Sequence, residues 1–140
     1  MALNIHLTFD GNCQEAFEFY RSVFGIEFAE FQTYADGPPE MSETEGAADL
    51  VMHVALPMGS SVLMGADWSP HAGAPLMAGN NFSISLEGRS REHCESVFAR
   101  LSEGGEVTMP LQETFWGAYF GSCTDRFAVN WMINYQLTGG

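Results

Sequence analysis

Basic side chains are scarce in this sequence. Its 140 residues include 5 Lys+Arg against 18 Asp+Glu, which gives a formal net charge of −13 at pH 7. The summed negative field repels phosphate backbones and anionic lipid headgroups, so neither nucleic acid nor an anionic membrane surface is an expected partner. Because the acidic residues are scattered along the chain, their main expected effect is solubility, not recruitment of a basic partner.

Cysteines and long apolar segments are also few. The three cysteines, Cys13, Cys94 and Cys123, lie far apart and form no CxxC pair, which argues against a disulfide framework and a zinc ribbon. No apolar run approaches the roughly 20 residues that a membrane helix needs. Residues 1–10 alternate polar and apolar side chains, unlike a secretory signal peptide. These absences predict a cytoplasmic protein in a reducing compartment, without a membrane segment.

The sequence contains enough apolar material for one packed core. Hydrophobic residues make up 46% of the chain and aromatic residues 13%, a composition that excludes global disorder. A chain of this length typically forms a single domain.

The first half of the chain reads as a strand, a helix and three further strands. Leu3, Ile5, Leu7 and Phe9 alternate with polar residues, which predicts a half-buried strand. Asn12 is the predicted N-cap of an amphipathic helix that ends at Gly25, with Glu15 completing a capping box. The predicted strands cover 27–34, 50–57 and 61–65. Between the first two lies an acidic loop, 35–49, which includes Glu43 and Glu45 and is predicted to lack regular structure, either as a mobile lid or as a plain insertion.

The second half repeats this order after a Pro/Gly-rich linker that includes Pro70. Phe82, Ile84 and Leu86 alternate with polar residues, Ser90 is the predicted N-cap of a second helix, and strands are predicted over 106–111, 116–123 and 129–135. The sequence therefore predicts one α+β domain spanning 1–140, built from two βαβββ modules at about 1–65 and 81–137 with a linker at about 66–80. Each helix has one apolar stripe, so the helices are expected on the outer face of curled mixed sheets whose opposite face lines a cup.

Several segments resemble one superfamily. Asp10-Gly11-Asn12-Cys13 followed by Ala16 to Tyr20 is similar to the start of vicinal oxygen chelate proteins, the glyoxalase and bleomycin-resistance superfamily. The segments 112–117, 124–127 and 131–134 resemble its PhnB-like branch. The resemblance implies a paired βαβββ fold, a homodimer and a small-molecule ligand in a cavity inside each curled sheet. Family members often carry a demethylubiquinone methyltransferase label, but no Gly-rich GxGxG-type loop follows a strand here to hold a nucleoside cofactor.

The resemblance also raises the question of a metal ion. Metal-dependent members place His or Glu ligands on the first and last strands of each module. The matching windows here are 5–6, 63–64, 81–83 and 131–132, and only His6 among them is a good ligand. A catalytic metal needs about three protein ligands, so no metal and no other cofactor is predicted. His53, on a strand that could adjoin that of His6, is the alternative second ligand, whereas His71 and His93 are expected at the surface.

The alternation of side chains along the strands and the clustered aromatic residues indicate a ligand pocket. If the apolar residues of each first strand face the helices, the polar ones face the cup. Phe115, Trp116, Tyr119 and Trp131 could form a stacking wall for a planar or apolar ligand. The alternatives are a solvated sheet face for the polar residues, and core or dimer packing for the aromatic ones. The predicted pocket residues are His6, Thr8, His53, Ser83, Ser85, Trp116, Tyr119 and Trp131.

Catalytic residues cannot be assigned from this pattern. Cys13 would lie in the first turn of a helix, where the helix dipole lowers the pKa of a thiol, but no base is placed beside it and a buried small hydrophobe is the preferred interpretation. Three functions remain open. The preferred one is a small-molecule-binding dimer without the usual metal centre; the alternatives are a divalent-metal-dependent lyase, isomerase or dioxygenase using His6, and a non-catalytic dimeric interaction module.

Overall fold

The computed structural model describes residues 1–42, 46–69 and 71–137. Predictions made for Glu43, Glu45 and Pro70 therefore lie outside the described residues. In the described part no helix is long and apolar enough to span a membrane.

The chain forms two compact units, Met1–Met77 and Ala78–Gly140. Each unit contains one helix and a four-stranded mixed sheet. The elements are β1 (Ile5–Phe9), α1 (Cys13–Phe24), β2 (Glu30–Thr33), β3 (Val51–Met58), β4 (Ser61–Asp67), β5 (Ile84–Glu87), α2 (Arg91–Ser102), β6 (Glu106–Glu113), β7 (Ala118–Thr124) and β8 (Asn130–Gln136). The strand order is β1-β4-β3-β2 in the first sheet and β5-β8-β7-β6 in the second. β1 runs parallel to β4, and β5 runs parallel to β8. The other neighbouring strands are antiparallel. The predicted pair of βαβββ units and the α+β class are thus confirmed.

The predicted strand limits differ from the structure in several places. Leu3 is exposed because β1 begins only at Ile5. Phe82 is also exposed and precedes β5. At the other end, β4 continues to Asp67, into the segment predicted as linker.

The acidic loop contains more regular structure than its composition indicates. Tyr34–Asp36 and Pro39–Ser42 are short 3₁₀ turns. Tyr34 and Ala47 are buried, and the N–H of Ala35 donates to the carbonyl of Ala48 at 3.1 Å. Burial of these two apolar side chains outweighs the low propensity of the surrounding acidic residues and prolines.

In the first unit, α1 covers one face of the sheet. Leu7 and Phe9 are buried, whereas His6 and Thr8 are exposed, as the alternation of β1 predicts. Gly65 on β4 pairs with Leu7, and a Cβ atom there would overlap the ring of Phe17. The absence of a side chain at this position lets the helix lie directly on the sheet.

The second unit is arranged in the same way around α2. Trp131 and Ile133 on β8 are buried, together with Val97 and Leu101 on the helix. An added Cβ at Gly121 on β7 would lie 2.9 Å from the Cα of Leu111 on β6 and 3.1 Å from a ring carbon of Phe98 on α2. A glycine beneath a helical phenylalanine therefore occurs in both units.

The first helix is capped from a distant strand and not by its own N-cap side chain. Asn12 is the N-cap residue, as predicted, but its side chain makes no capping hydrogen bond. Asp67 takes its place: Oδ1 accepts from the N–H groups of Gly11 at 3.0 Å and Cys13 at 2.9 Å, and Oδ2 accepts from Val51 at 2.8 Å. In α2 the predicted cap is confirmed, because the Ser90 hydroxyl accepts from the N–H of His93 at 3.1 Å.

The three cysteines are buried core residues and none forms a disulfide. Burial, with a further contribution from the Asp67 carboxylate, raises the pKa of Cys13 to about 12. The hypothesis of an activated thiol at a helix N-terminus is therefore wrong. Desolvation of the thiolate outweighs the helix dipole at this position.

We expect Asp67→Ala to lower the free energy of unfolding by about 3 kcal/mol, because three N–H groups lose a charged acceptor. Asp67→Asn keeps one carbonyl acceptor and should cost about half as much. Urea denaturation measures both. Asp49→Ala, which removes an exposed carboxylate, is the control; an equal loss in Asp49→Ala and Asp67→Ala would contradict the capping role.

We expect all three thiols to resist alkylation by iodoacetamide in the folded protein at about pH 8, since thiol reactivity requires the thiolate and access to solvent. The same thiols should react fully in denaturant, where the pKa returns to about 8.5. Mass spectrometry counts the alkylated sites. Rapid labelling of Cys13 in the folded state would show that its thiol is neither buried nor protonated.

Candidate functional site

Each sheet leaves one face uncovered by its own helix. Paired residues on neighbouring strands share a face, and side chains alternate along each strand, so the register assigns every residue to a face. We call the face of the first sheet that points away from α1 the first open face. It carries His6, Thr8, Glu30, Gln32, His53, Ala55, Met64 and Ala66.

The first open face brings one histidine to a carboxylate. Nε2 of His53 on β3 lies 3.1 Å from Oε2 of Glu30 on β2, with both side chains partly exposed. His6 pairs instead with Met64 on β4. Because β4 separates β1 from β3, His6 and His53 lie roughly 10 Å apart at the backbone. The expectation that their strands adjoin is wrong, and the two imidazoles do not converge.

The second open face, defined likewise as the face of the second sheet away from α2, is more aromatic. One row across it runs through Glu87, Asn134, Phe120 and Gln112, and the next through Ser85, Met132, Ser122 and Met109. Asn134 Nδ2 donates to both carboxylate oxygens of Glu87, at 3.2 and 3.1 Å. A carboxylate, a carboxamide and a phenyl ring therefore lie side by side on three adjacent strands.

Trp116, in the turn between β6 and β7, extends the row that contains Phe120. Its ring centroid lies 6.1 Å from that of Phe120 and 5.0 Å from that of Phe115, both in edge-to-face geometry. Gly117, at φ +87°, allows the turn, and the N–H of Thr114 donates to the carbonyl of Ala118 at 2.8 Å. Trp116 remains 53% exposed and Phe115 97% exposed. This turn presents an apolar surface beside the second open face.

Two of the predicted pocket aromatics lie on the opposite, helix-covered face. Trp131 is 1% exposed, and its Nε1 donates to Oδ2 of Asp125 at 2.8 Å. Tyr119 donates its hydroxyl to Glu95 of α2 at 3.1 Å, and the guanidinium carbon of Arg91 lies 4.2 Å from its ring centroid. Burial and the bond to Glu95 raise the pKa of Tyr119. Neither residue belongs to the second open face, because the pairing of β7 with β8 places both side chains on the face opposite Phe120 and Met132.

The remaining predicted positions are at or near the surface. Ser85 lies on the second open face, and Ser83 is exposed one residue before β5. His71 is exposed, and Nδ1 of His93 accepts from the N–H of Arg89 at 3.1 Å at the start of α2. Burial, followed by the charge of Arg89, lowers the pKa of His93. These two histidines lie outside both open faces.

Sequence reasoning missed several residues of the open faces: Glu30, Glu87, Phe120 and Asn134. It also missed Asp125, a buried residue that accepts from the N–H groups of Phe127 at 2.7 Å and Val129 at 3.1 Å and shapes the turn between β7 and β8. For Glu87 a signal existed, since it continues the parity of Ser83 and Ser85. For Glu30 and Phe120 the sequence contained no such signal, because strand register determines which face of the sheet carries their side chains.

The donor set does not fit the divalent-metal chelate of metal-dependent relatives. The side chain in register with His6 is Met64, and a thioether is a poor ligand for hard divalent ions. Among residues 1–42, 46–69 and 71–137, no group of three or more His, Cys, Asp or Glu side chains could hold a metal ion. The His53–Glu30 pair supplies two donors, one fewer than a catalytic metal usually requires.

Comparisons with known proteins agree with this architecture. The chain is 28% identical over 142 residues to protein YjdN of Escherichia coli K12, covering 96% of this chain and 95% of that protein. The crystal structure of protein PA1353 from Pseudomonas aeruginosa superposes with a TM-score of 0.84 and 39% identity, covering 97% and 98% of the two chains.

A more distant likeness concerns the fold alone. The PhnB protein from Bacillus cereus superposes with a TM-score of 0.76 at 22% identity, over 96% of this chain and 99% of that one. The profile of the Glyoxalase/Bleomycin resistance protein/Dioxygenase superfamily matches residues 4–133. The resemblance inferred from the sequence is confirmed, and the chain belongs to the Glyoxalase/Bleomycin resistance protein/Dioxygenase superfamily.

Proposed function

We propose that this protein is a cytoplasmic, homodimeric binder of a small organic molecule, and that it binds without the metal centre of its metal-dependent relatives. The observation that carries the proposal is the second open face, where Trp116 and Phe120 adjoin the polar side chains of Asn134 and Glu87. Ligand sites in proteins combine aromatic surface with a few polar groups in this way.

The alternative of a merely solvated sheet face is less favourable. Trp116 and Phe115 together expose apolar surface that a monomer gains nothing by leaving in water. Solvated sheet faces carry mainly polar side chains, whereas this one includes Met132 and Phe120 among its central residues.

The first open face supports the same function with different chemistry. His6, Thr8 and the His53–Glu30 pair offer hydrogen-bond donors and acceptors, and we propose them as polar ligand contacts. The superfamily name covers bleomycin resistance proteins as well as dioxygenases. Binding without catalysis is therefore an activity that this fold accommodates.

We expect N-phenylnaphthylamine, a neutral aromatic probe whose fluorescence rises in apolar surroundings, to bind this protein saturably. Trp116→Ala should weaken binding about tenfold, because stacking between two aromatic rings contributes up to roughly 1.5 kcal/mol beyond the burial of surface. Fluorescence titration measures both affinities. Leu3→Ala, which removes another exposed apolar side chain, should leave the affinity unchanged.

The same preparation separates the competing functions. Absence of saturable binding would favour the dimeric interaction module. Stoichiometric divalent metal in protein purified without a histidine tag, lost in His6→Ala and retained in His71→Ala, would favour the metal-dependent enzyme. Elemental analysis provides this readout.

We expect sedimentation equilibrium to give about twice the chain mass of 15.4 kDa. Phe115 is the proposed contact, since a phenyl ring 97% exposed at a turn is suited to burial against a second copy. Phe115→Ser should shift the protein toward the monomer, while Leu3→Ser should not. A wild-type protein that sediments as a monomer would contradict the proposed dimer.

A further inference from the structure

Within the described strands, no arginine or lysine side chain lies on either open face. The chain contains no lysine, and its five basic residues are Arg21, Arg89, Arg91, Arg100 and Arg126. Three lie on the helices, Arg89 lies just before α2, and Arg126 lies in the turn between β7 and β8. Within the described strands of both sheets, the ionisable side chains on the open faces are therefore carboxylates and histidines.

Three of these arginines have partners away from the open faces. Arg21 forms ion pairs with Glu18 at 2.7 Å and Glu27 at 3.2 Å. Arg91 pairs with Glu113 at 3.3 Å. Arg126 donates to the carbonyl of Glu103 from two nitrogens, at 3.1 and 2.9 Å.

Glu87 presents an uncompensated carboxylate on the second open face. Its hydrogen-bond partner is the neutral carboxamide of Asn134, which orients the carboxylate without cancelling its charge. The ion pairs found between described residues involve Glu18, Glu27, Glu30 and Glu113, and do not include Glu87. A carboxylate has about four acceptor positions, so Glu87 can accept further hydrogen bonds from a ligand.

An aromatic surface lies at a defined spacing from this carboxylate. Phe120 is two strands away from Glu87 in the same row, and Trp116 packs against its ring. Neighbouring strands are about 4.8 Å apart, so the carboxylate and the aromatic surface are separated by roughly 10 Å. A ligand that contacts both would carry a hydrogen-bond donor at one end and a ring at the other.

We infer that the small molecule bound at the second open face is an organic cation, a protonated amine or amidine, whose charged end pairs with Glu87 and whose aromatic end stacks on Trp116 and Phe120. This inference rests on the proposed binding function and specifies the chemical class of its ligand. Phosphate or carboxylate ligands meet no cationic side chain on this face and are repelled by a net charge of −13.

Three dansyl amides that share one ring system and chain length test the inference. They are the amides of cadaverine, aminopentanol and aminopentanoic acid, which end in an ammonium, a hydroxyl and a carboxylate. We expect the ammonium probe to bind about fivefold more tightly than the hydroxyl probe, the effect of one partly exposed ion pair. The carboxylate probe should bind most weakly, and added salt should reduce the advantage of the ammonium probe.

Two charge-matched variants locate the effect. Glu87→Gln retains a group that can bond Asn134 but loses the charge, so it should abolish the preference for the ammonium over the hydroxyl probe. Glu92→Gln, on the exposed first turn of α2, changes the net charge equally and should leave the preference intact. Equal effects of the two variants would show that only the overall field acts and would overturn the inference.

The result also distinguishes this inference from the proposed function. Equal binding of all three probes, weakened by Trp116→Ala, would overturn the inference and leave the binding function standing. Failure of all three probes to bind would contradict both.

Discussion

The buried carboxylate of Asp67 is the interaction on which the first unit depends. It is 5% exposed and accepts hydrogen bonds from three backbone N–H groups, which belong to the start of α1 and the start of β3. Three elements distant in sequence are thereby joined at one side chain at the end of β4. Because an ionised carboxylate is stable in the interior only when its acceptor positions are filled, the arrangement tolerates little displacement of the helix relative to the sheet. In the second unit Asp125 performs a related task, binding two N–H groups of its own turn and the indole of Trp131.

A fixed helix position determines which side of each sheet is available for binding. Gly65 and Gly121 let α1 and α2 approach the strands closely, with the rings of Phe17 and Phe98 above them. On β4, β7 and β8, most residues of the same parity as these glycines are buried, including Trp131 and Tyr119 in the second unit. The residues of opposite parity are free of that constraint. The chemistry of the open faces, from the His53–Glu30 pair to the row through Glu87 and Phe120, is therefore selected by something other than packing against the helix.

Local patterns predicted the fold well and the site only in part. The alternation in β1, the cap at Ser90 and the glycine after α1 each act over a few residues, and each was readable from the sequence. The Asp67 cap could not be read in this way, because it joins residues 54 positions apart. Strand register was a further obstacle: β6 carries two irregularities in its pairing with β7, so parity counted along the sequence does not give the face of its residues. Trp116 and Tyr119 were both predicted to line the pocket, and only the contacts of Tyr119 with α2 show that its ring is covered by the helix.

The two units have the same topology and different open faces, and this difference is where function must be sought. The first open face presents imidazoles, a carboxylate and Thr8, whereas the second presents aromatic rings, carboxamides and the carboxylate of Glu87. Repetition of the fold explains why each unit has an uncovered face, but not why one of them gathers Trp116, Phe120 and Asn134 around an unpaired negative charge. That carboxylate is exposed to solvent, and the chain has, within its described strands, no lysine and no arginine on this face to pair with it. A cationic ligand is the partner that this carboxylate lacks on its own face, so the composition of the whole chain and the geometry of one row of side chains lead to the same ligand chemistry.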